Sequence, residues 1–109
     1  MMQVEFDERG CKAFFKKHRH QQNAAETMIG AAITREVATG ITKVKLATKK
    51  RVAGQPIYEF RLNLGKLGSA RLAFAVERDR GTVYFISSHL QKATFSHEFG
   101  RLVTEIVRS

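Results

Sequence analysis

The 109-residue chain has the length of one ordinary domain, and with 43% hydrophobic and 9% aromatic residues it can bury one modest core, which argues against disorder. A single cysteine, Cys11, excludes an internal disulfide, no apolar run approaches the roughly 20 residues of a membrane helix, and the start MMQVEFDER lacks the basic and apolar regions of a signal peptide, so a soluble cytoplasmic protein is expected. Nineteen Lys and Arg against ten Asp and Glu leave a net charge of +9, which favours a polyanionic partner, nucleic acid before others.

That charge is unevenly spread. Residues 1–40 hold six basic and five acidic side chains, whereas residues 41–109 hold thirteen and five. Between Lys43 and Arg71 there are eight basic residues and one acid, Glu59. A plain solubilising surface also has this composition, so the chemistry must come from the positions of the charges.

In chain order, Gln3–Phe6 alternates polar and apolar and reads as a short strand. Asp7 can cap a helix in which Cys11, Phe14 and Phe15 share a face, ending in the basic cluster 16–20, where positive charge suits the helix dipole. His18 and His20 have no third ligand nearby in the sequence, so no metal site is read there. A second helix is signalled by capping-box spacing of Asn23 and Glu26. Ala25, Met28, Ile29, Ala32, Ile33 and Val37 form its apolar stripe, and Gly40 stands at the expected left-handed C-cap. Gly30 within it suggests a close helix-on-helix or helix-on-sheet approach.

Val44, Leu46 and Thr48 alternate with Lys43, Lys45 and Ala47, as in a short edge strand carrying lysines. Lys49-Lys50-Arg51 and the following 53–56 make a basic loop. Ile57–Leu64, Arg71–Glu77 and Thr82–Ser88 read as three strands of an antiparallel meander, the third apolar on both faces. Tyr58, Phe60, Leu62, Leu72, Phe74 and Val76 then form a greasy face for the helices. The opposite face carries Glu59, Arg61, Arg71 and Glu77 beside Ala73 and Ala75, leaving room for something to dock. Ser96 can cap a final helix whose stripe is Phe99, Leu102, Val103, Ile106 and Val107. The expected fold is α+β over residues 1–109: a small twisted antiparallel sheet with two N-terminal helices and one C-terminal helix packed on it.

The chain carries no phosphate-binding glycine loop, paired CxxC, HExxH or GxSxG motif. Ser87, Ser88 and His89 are sequence neighbours, and adjacency along a strand does not make a nucleophile and its base. What remains is a cationic constellation of Arg61, Arg71, Lys66, His89 and Lys92, ringed by Lys43, Lys45, Lys49, Lys50 and Arg51. Arginine forks match phosphate oxygens, and a histidine titrating near neutrality can move a proton, so the set suits a metal-free phosphodiester site. Strand arginines also pair with carboxylates such as Glu59 or Glu77 across a sheet, and that reading stays open.

The strand Ile57-Tyr58-Glu59-Phe60-Arg61-Leu62, the entry Gly68-Ser69-Ala70-Arg71-Leu72 and the run Val83–Lys92 with His89 and Lys92 three apart resemble the RelE/ParE superfamily of bacterial toxins. The resemblance follows nearly the whole chain in outline, while its specific residues occupy about forty positions (57–92). It implies helices on a twisted antiparallel sheet and, in the RelE and HigB branches, metal-independent cleavage of mRNA on the ribosome by 2′-hydroxyl attack, without a cofactor. It also implies a cognate antitoxin partner, in a hetero-oligomer with the toxin. Carried over by position, Arg61 and Arg71 would hold the scissile phosphate, His89 would be the acid or base, and Lys92 would contact phosphate or backbone. Phe95 could stack on a base or belong to the core. Two departures are Glu59, where some members have a basic residue, and the lack of a tyrosine near the end of the sheet. A ParE-like inhibitor of DNA gyrase and a non-catalytic nucleic-acid-binding protein remain alternatives.

Overall fold

The computed structural model describes residues 2–41, 45–48, 51–88 and 91–108. Val4 and Phe6 make Gln3–Phe6 a strand (β1), and Asp7 ends it by capping α1, Glu8–Lys17. The Asp7 carboxylate accepts from the Arg9 backbone N–H at 3.0 Å, satisfying one of the free donors of the first turn. A 3₁₀ turn at Arg19–Gln21 leads into α2, Gln22–Ala38. Asn23 does not cap α2: it lies inside the helix, which begins one residue earlier, and Glu26 accepts from the Gln22 side chain instead. Gly40 does terminate it, with φ 78°, and the Gly40 and Ile41 amides bond back to Val37 and Glu36 as a Schellman motif requires.

Next come β2 (Lys45–Leu46), β3 (Tyr58–Asn63), a 3₁₀ turn (Gly65–Leu67), β4 (Ser69–Glu77), β5 (Arg80–Ser87) and α3 (Lys92–Arg108). A two-residue loop, with Arg78 at φ 57°, joins β4 to β5. The sheet order is β1-β5-β4-β3-β2. From β2 to β5 the pairing is antiparallel, as the alternation implied, but the sheet as a whole is mixed. The first strand precedes both helices and pairs parallel to β5, from Gln3 against Arg80 to Phe6 against Val83. A short apolar strand at the chain's start can close the open edge of a meander in either direction, and its direction is not written in its own residues.

The expectation of one covered face and one free face is also corrected. Cys11, Phe14 and Phe15 of α1 and Ala25, Ile29 and Ile33 of α2 pack on Leu72, Phe74, Val83 and Ile86. On the other side Phe95, Phe99, Val103 and Ile106 of α3 pack on Ile57, Ala73 and Ala75. The space beside the two alanines is thus filled by the chain's own last helix. That helix begins at Lys92, so Ser96 lies exposed within it and caps nothing. Among the described residues no helix is long and apolar enough to cross a membrane.

Two glycines illustrate how tightly α1 is held and how loosely α2 is. A Cβ on Gly10 would sit 1.7 Å from the Tyr84 carbonyl oxygen and 2.8 Å from a Leu102 methyl, so only glycine lets α1 down onto β5. A Cβ on Gly30 meets nothing closer than Val4 at 3.8 Å, so the close approach expected there is not needed. Gly10→Ala should therefore cost about 3 kcal/mol or more, whereas Gly30→Ala should stabilise by about 0.5–1 kcal/mol. Urea unfolding of the two variants checks both signs, and equal effects would contradict this packing.

Candidate anion-binding site

The register of the meander lines up the candidate residues. Arg61 stands directly opposite Arg71, and Arg71 directly opposite Ser87, so the three share one face across β3, β4 and β5. It is the face that α3 covers further along, at Ala73 and Ala75. Directly opposed side chains lie about 4.5–5.5 Å apart at Cβ, and like charges in that position repel. Glu59, two residues before Arg61 and opposite Ala73, lies diagonally across from Arg71. Its carboxylate accepts from the Arg71 guanidinium at 3.0 Å, with the Glu59 side chain only 3% exposed and that of Arg71 20%. The open reading of a strand arginine paired to a carboxylate is therefore met at Arg71.

Arg61 differs. It is exposed and makes no hydrogen bond or ion pair among the described residues. Glu59 thus divides the two arginines into one that is partly engaged and one whose fork of donors faces solvent. Lys45 adds charge on β2, exposed and opposite Glu59. Lys66 is exposed in the 3₁₀ turn joining β3 to β4, at the same end of the sheet as the arginines. Arg51 is exposed in a separate turn and donates to the Gly54 carbonyl at 3.2 Å.

Of the other expected members, Phe95 is not brought to this row. Phe95 is fully buried, with ring centroids 5.2 Å from Phe85 and 6.2 Å from Phe99, so its role is in the core and it offers no face to a base. Lys92 is the first residue of α3 rather than the end of a strand, because β5 stops at Ser87; its side chain lies outside the described set. His89, Lys43, Lys49 and Lys50 also lie outside the described residues. Among the described residues no three His, Cys, Asp or Glu side chains gather as a metal site.

Of the concavities lined by described residues, two are set against the arginine row. The larger, about 600 Å³, lies between β1, α1 and the start of α2. Its charges balance, Glu5, Glu8 and Glu26 against Lys12, Lys16 and Arg19, and it shares no residue with the arginine row. The smaller, about 260 Å³, includes Ser87 and so adjoins that row. Sequence reasoning passed over it because it needs α1, β5 and α3 to meet.

Elsewhere, burial pushes the Cys11 thiol up from near 9 to about 12, with the Asp7 carboxylate acting in the same direction. Its Sγ donates to the Val83 carbonyl at 3.4 Å. Because the folded state holds this proton more tightly than the unfolded chain, its contribution to stability should be constant below about pH 9 and be lost as pH rises toward 12. The raised Tyr84 phenol, also desolvated and near Asp7, acts in the same sense. Denaturant midpoints between pH 7 and 11 for wild type and Cys11→Ala should show a shallower decline in the variant.

Removing Arg71 alone strands a buried carboxylate, so Arg71→Leu should cost about 3–5 kcal/mol. Adding Glu59→Leu should recover most of that loss, since an apolar pair of similar size serves as well in a core. A double-mutant cycle by urea unfolding checks this, and additive losses would show that the pair is not coupled. Comparison of the chain with protein-family models, with curated proteins and with solved structures finds no match.

Proposed function

We propose that the protein binds single-stranded RNA through the Arg61–Arg71 row and cleaves it as a metal-independent endoribonuclease, in the manner of the RelE- and HigB-type toxins its sequence resembles. The observation that carries this reading is the direct opposition of Arg61 and Arg71, with only one of them compensated by Glu59. Two like charges held face to face cost stability until an anion sits between them. A phosphodiester presents the oxygen pair that arginine forks match. The net charge of +9 and the exposed Lys45 and Lys66 nearby supply the sequence-independent attraction that RNA binding needs. In this reading Arg61 stabilises the charge that builds on the phosphate, and Arg71, held by Glu59, fixes the position of that phosphate. Proton transfer falls to His89, and Lys92 contacts the backbone. A cognate antitoxin, binding the toxin in a hetero-oligomer, and ribosome-bound mRNA are the partners.

A second reading is favoured by the Arg71–Glu59 pair itself. An arginine already engaged by a buried carboxylate suits a binding surface better than a site that must stabilise a transition state, so the protein would bind its target, DNA gyrase in a ParE-like case, without cutting RNA.

Arg61→Ala separates the two, because Arg61 is exposed and its loss leaves the core intact. Wild type, Arg61→Ala and His89→Ala are expressed from an inducible promoter, and mRNA 5′ ends are mapped. Cleavage should fall by about 100-fold or more without Arg61, as for loss of one donor to a developing charge, while the unfolding free energy stays within about 0.5 kcal/mol of wild type. Growth arrest with intact mRNA and accumulating DNA breaks would sink the nuclease reading and favour gyrase binding. Absence of toxicity would point to a non-catalytic nucleic-acid-binding protein.

A further inference from the structure

The pocket beside Ser87 arises from where β1 stops. That strand pairs with β5 only as far as Val83, so from Tyr84 onward the outer side of β5 faces α1 instead of a strand. Gly10 brings the α1 backbone against Tyr84, and further along α1 a space of about 260 Å³ opens between α1, the end of β5 and α3. Its walls are of two kinds. Phe14 and Phe85 are apolar, Phe85 being held by stacking on Phe99 at 5.9 Å. Ser88 brings a hydroxyl and Lys17 a cation, and Ser87 and Glu98, each already engaged in a contact of its own, complete the polar side. Apolar walls with a few directed polar groups mark a site for a small planar ligand, and the volume falls just below the roughly 300 Å³ at which pockets for drug-sized molecules begin. One heteroaromatic ring system is the size it suits.

Its position then narrows the ligand. Arg61, Arg71 and Ser87 occupy successive strands in register, and strands lie about 4.8 Å apart, so Ser87, on the pocket wall nearest the row, lies about 5 Å from Arg71 and about 10 Å from Arg61 across the sheet. That is the reach from a phosphate to the base of a neighbouring nucleotide. We propose that the pocket between α1, β5 and α3 takes an unstacked nucleobase of the strand whose phosphate lies on Arg61 and Arg71. The proposal rests on the reading of that row as an RNA site. It goes beyond it by making recognition depend on a base as well as on charge, and by giving α1 and α3 a part in binding.

The test uses a fluorescent, 2′-O-methylated RNA pentanucleotide, which cannot be cut by 2′-hydroxyl attack, and a set in which each base in turn is removed. Anisotropy titrations are run on wild type, Ala13→Trp and Arg61→Ala. Ala13 is exposed and lines the pocket, so tryptophan there fills the space without touching the core. Loss of one particular base should weaken binding to wild type by about fivefold or more, the range for a base that stacks. Ala13→Trp should lose the same factor on the intact strand and be indifferent to removal of that base. Equal affinities across the abasic set on wild type would overturn the pocket, and because that arm needs no variant, misfolding of Ala13→Trp cannot excuse it. If Arg61→Ala weakens binding while the abasic set is flat, the pocket alone falls. If Arg61→Ala binds as wild type, the RNA reading falls and the pocket with it.

Discussion

Two small side chains on β4 decide how the rest of the molecule is arranged. Ala73 and Ala75 lie on the face of the sheet opposite the first two helices, and only residues of that size leave space for Phe95 and Phe99 to settle onto the strands. A sheet with helices on both faces has its central strand buried on both sides, which is the condition of β4 from Leu72 to Ala75. The seat of α3 also sets the boundary of the polar surface. Where the alanines end, at Arg71, the cover ends, and the arginine row begins at that step in side-chain size.

Within the row, Glu59 gives two residues of one type different characters. A carboxylate only 3% exposed cannot stand alone, and the Arg71 guanidinium meets it at 3.0 Å. The arrangement does little for net stability, since desolvating both partners offsets most of their attraction, but it holds the Arg71 fork in one orientation. Arg61, directly opposite, has no such tether and feels the repulsion of its neighbour. The pair therefore joins a fixed cation to an adjustable one, a combination suited to gripping an anion whose exact position varies.

Much of this was legible from residue order. The strict alternation of Tyr58–Asn63 and of Arg71–Glu77 by itself puts both arginines on one face, and Asp7 and Gly40 mark two helix ends, because these signals are local. Signals that depend on distant residues were not legible. The direction of β1 is set by β5, whose paired residues lie 77 positions further along the chain. Ser96 has the chemistry of a cap, yet burial of Phe95 against Phe85 extends α3 back past it to Lys92. Phe95 offered either a stacking or a core role by its type alone, and only the position of α3 decides between them. Glu59 was visible both as a departure from the family pattern and as an available carboxylate. Its near-complete burial was not visible, and that is what makes the contact with Arg71 obligatory.

The parallel pairing of β1 with β5 also orders events in time. Strands β3, β4 and β5 meet through short connections and form from local contacts, whereas Gln3–Phe6 must wait for Arg80–Val83. During synthesis the chain's first residues emerge long before their partners. Until β5 arrives, α1 has no Tyr84 carbonyl to rest on and Phe14 and Phe15 have no Val83 or Ile86 to cover them. The N-terminal strand thus closes the longest loop in the sheet, and the pocket beside Ser87 needs α1, β5 and α3, which lie far apart along the chain, to be in place together.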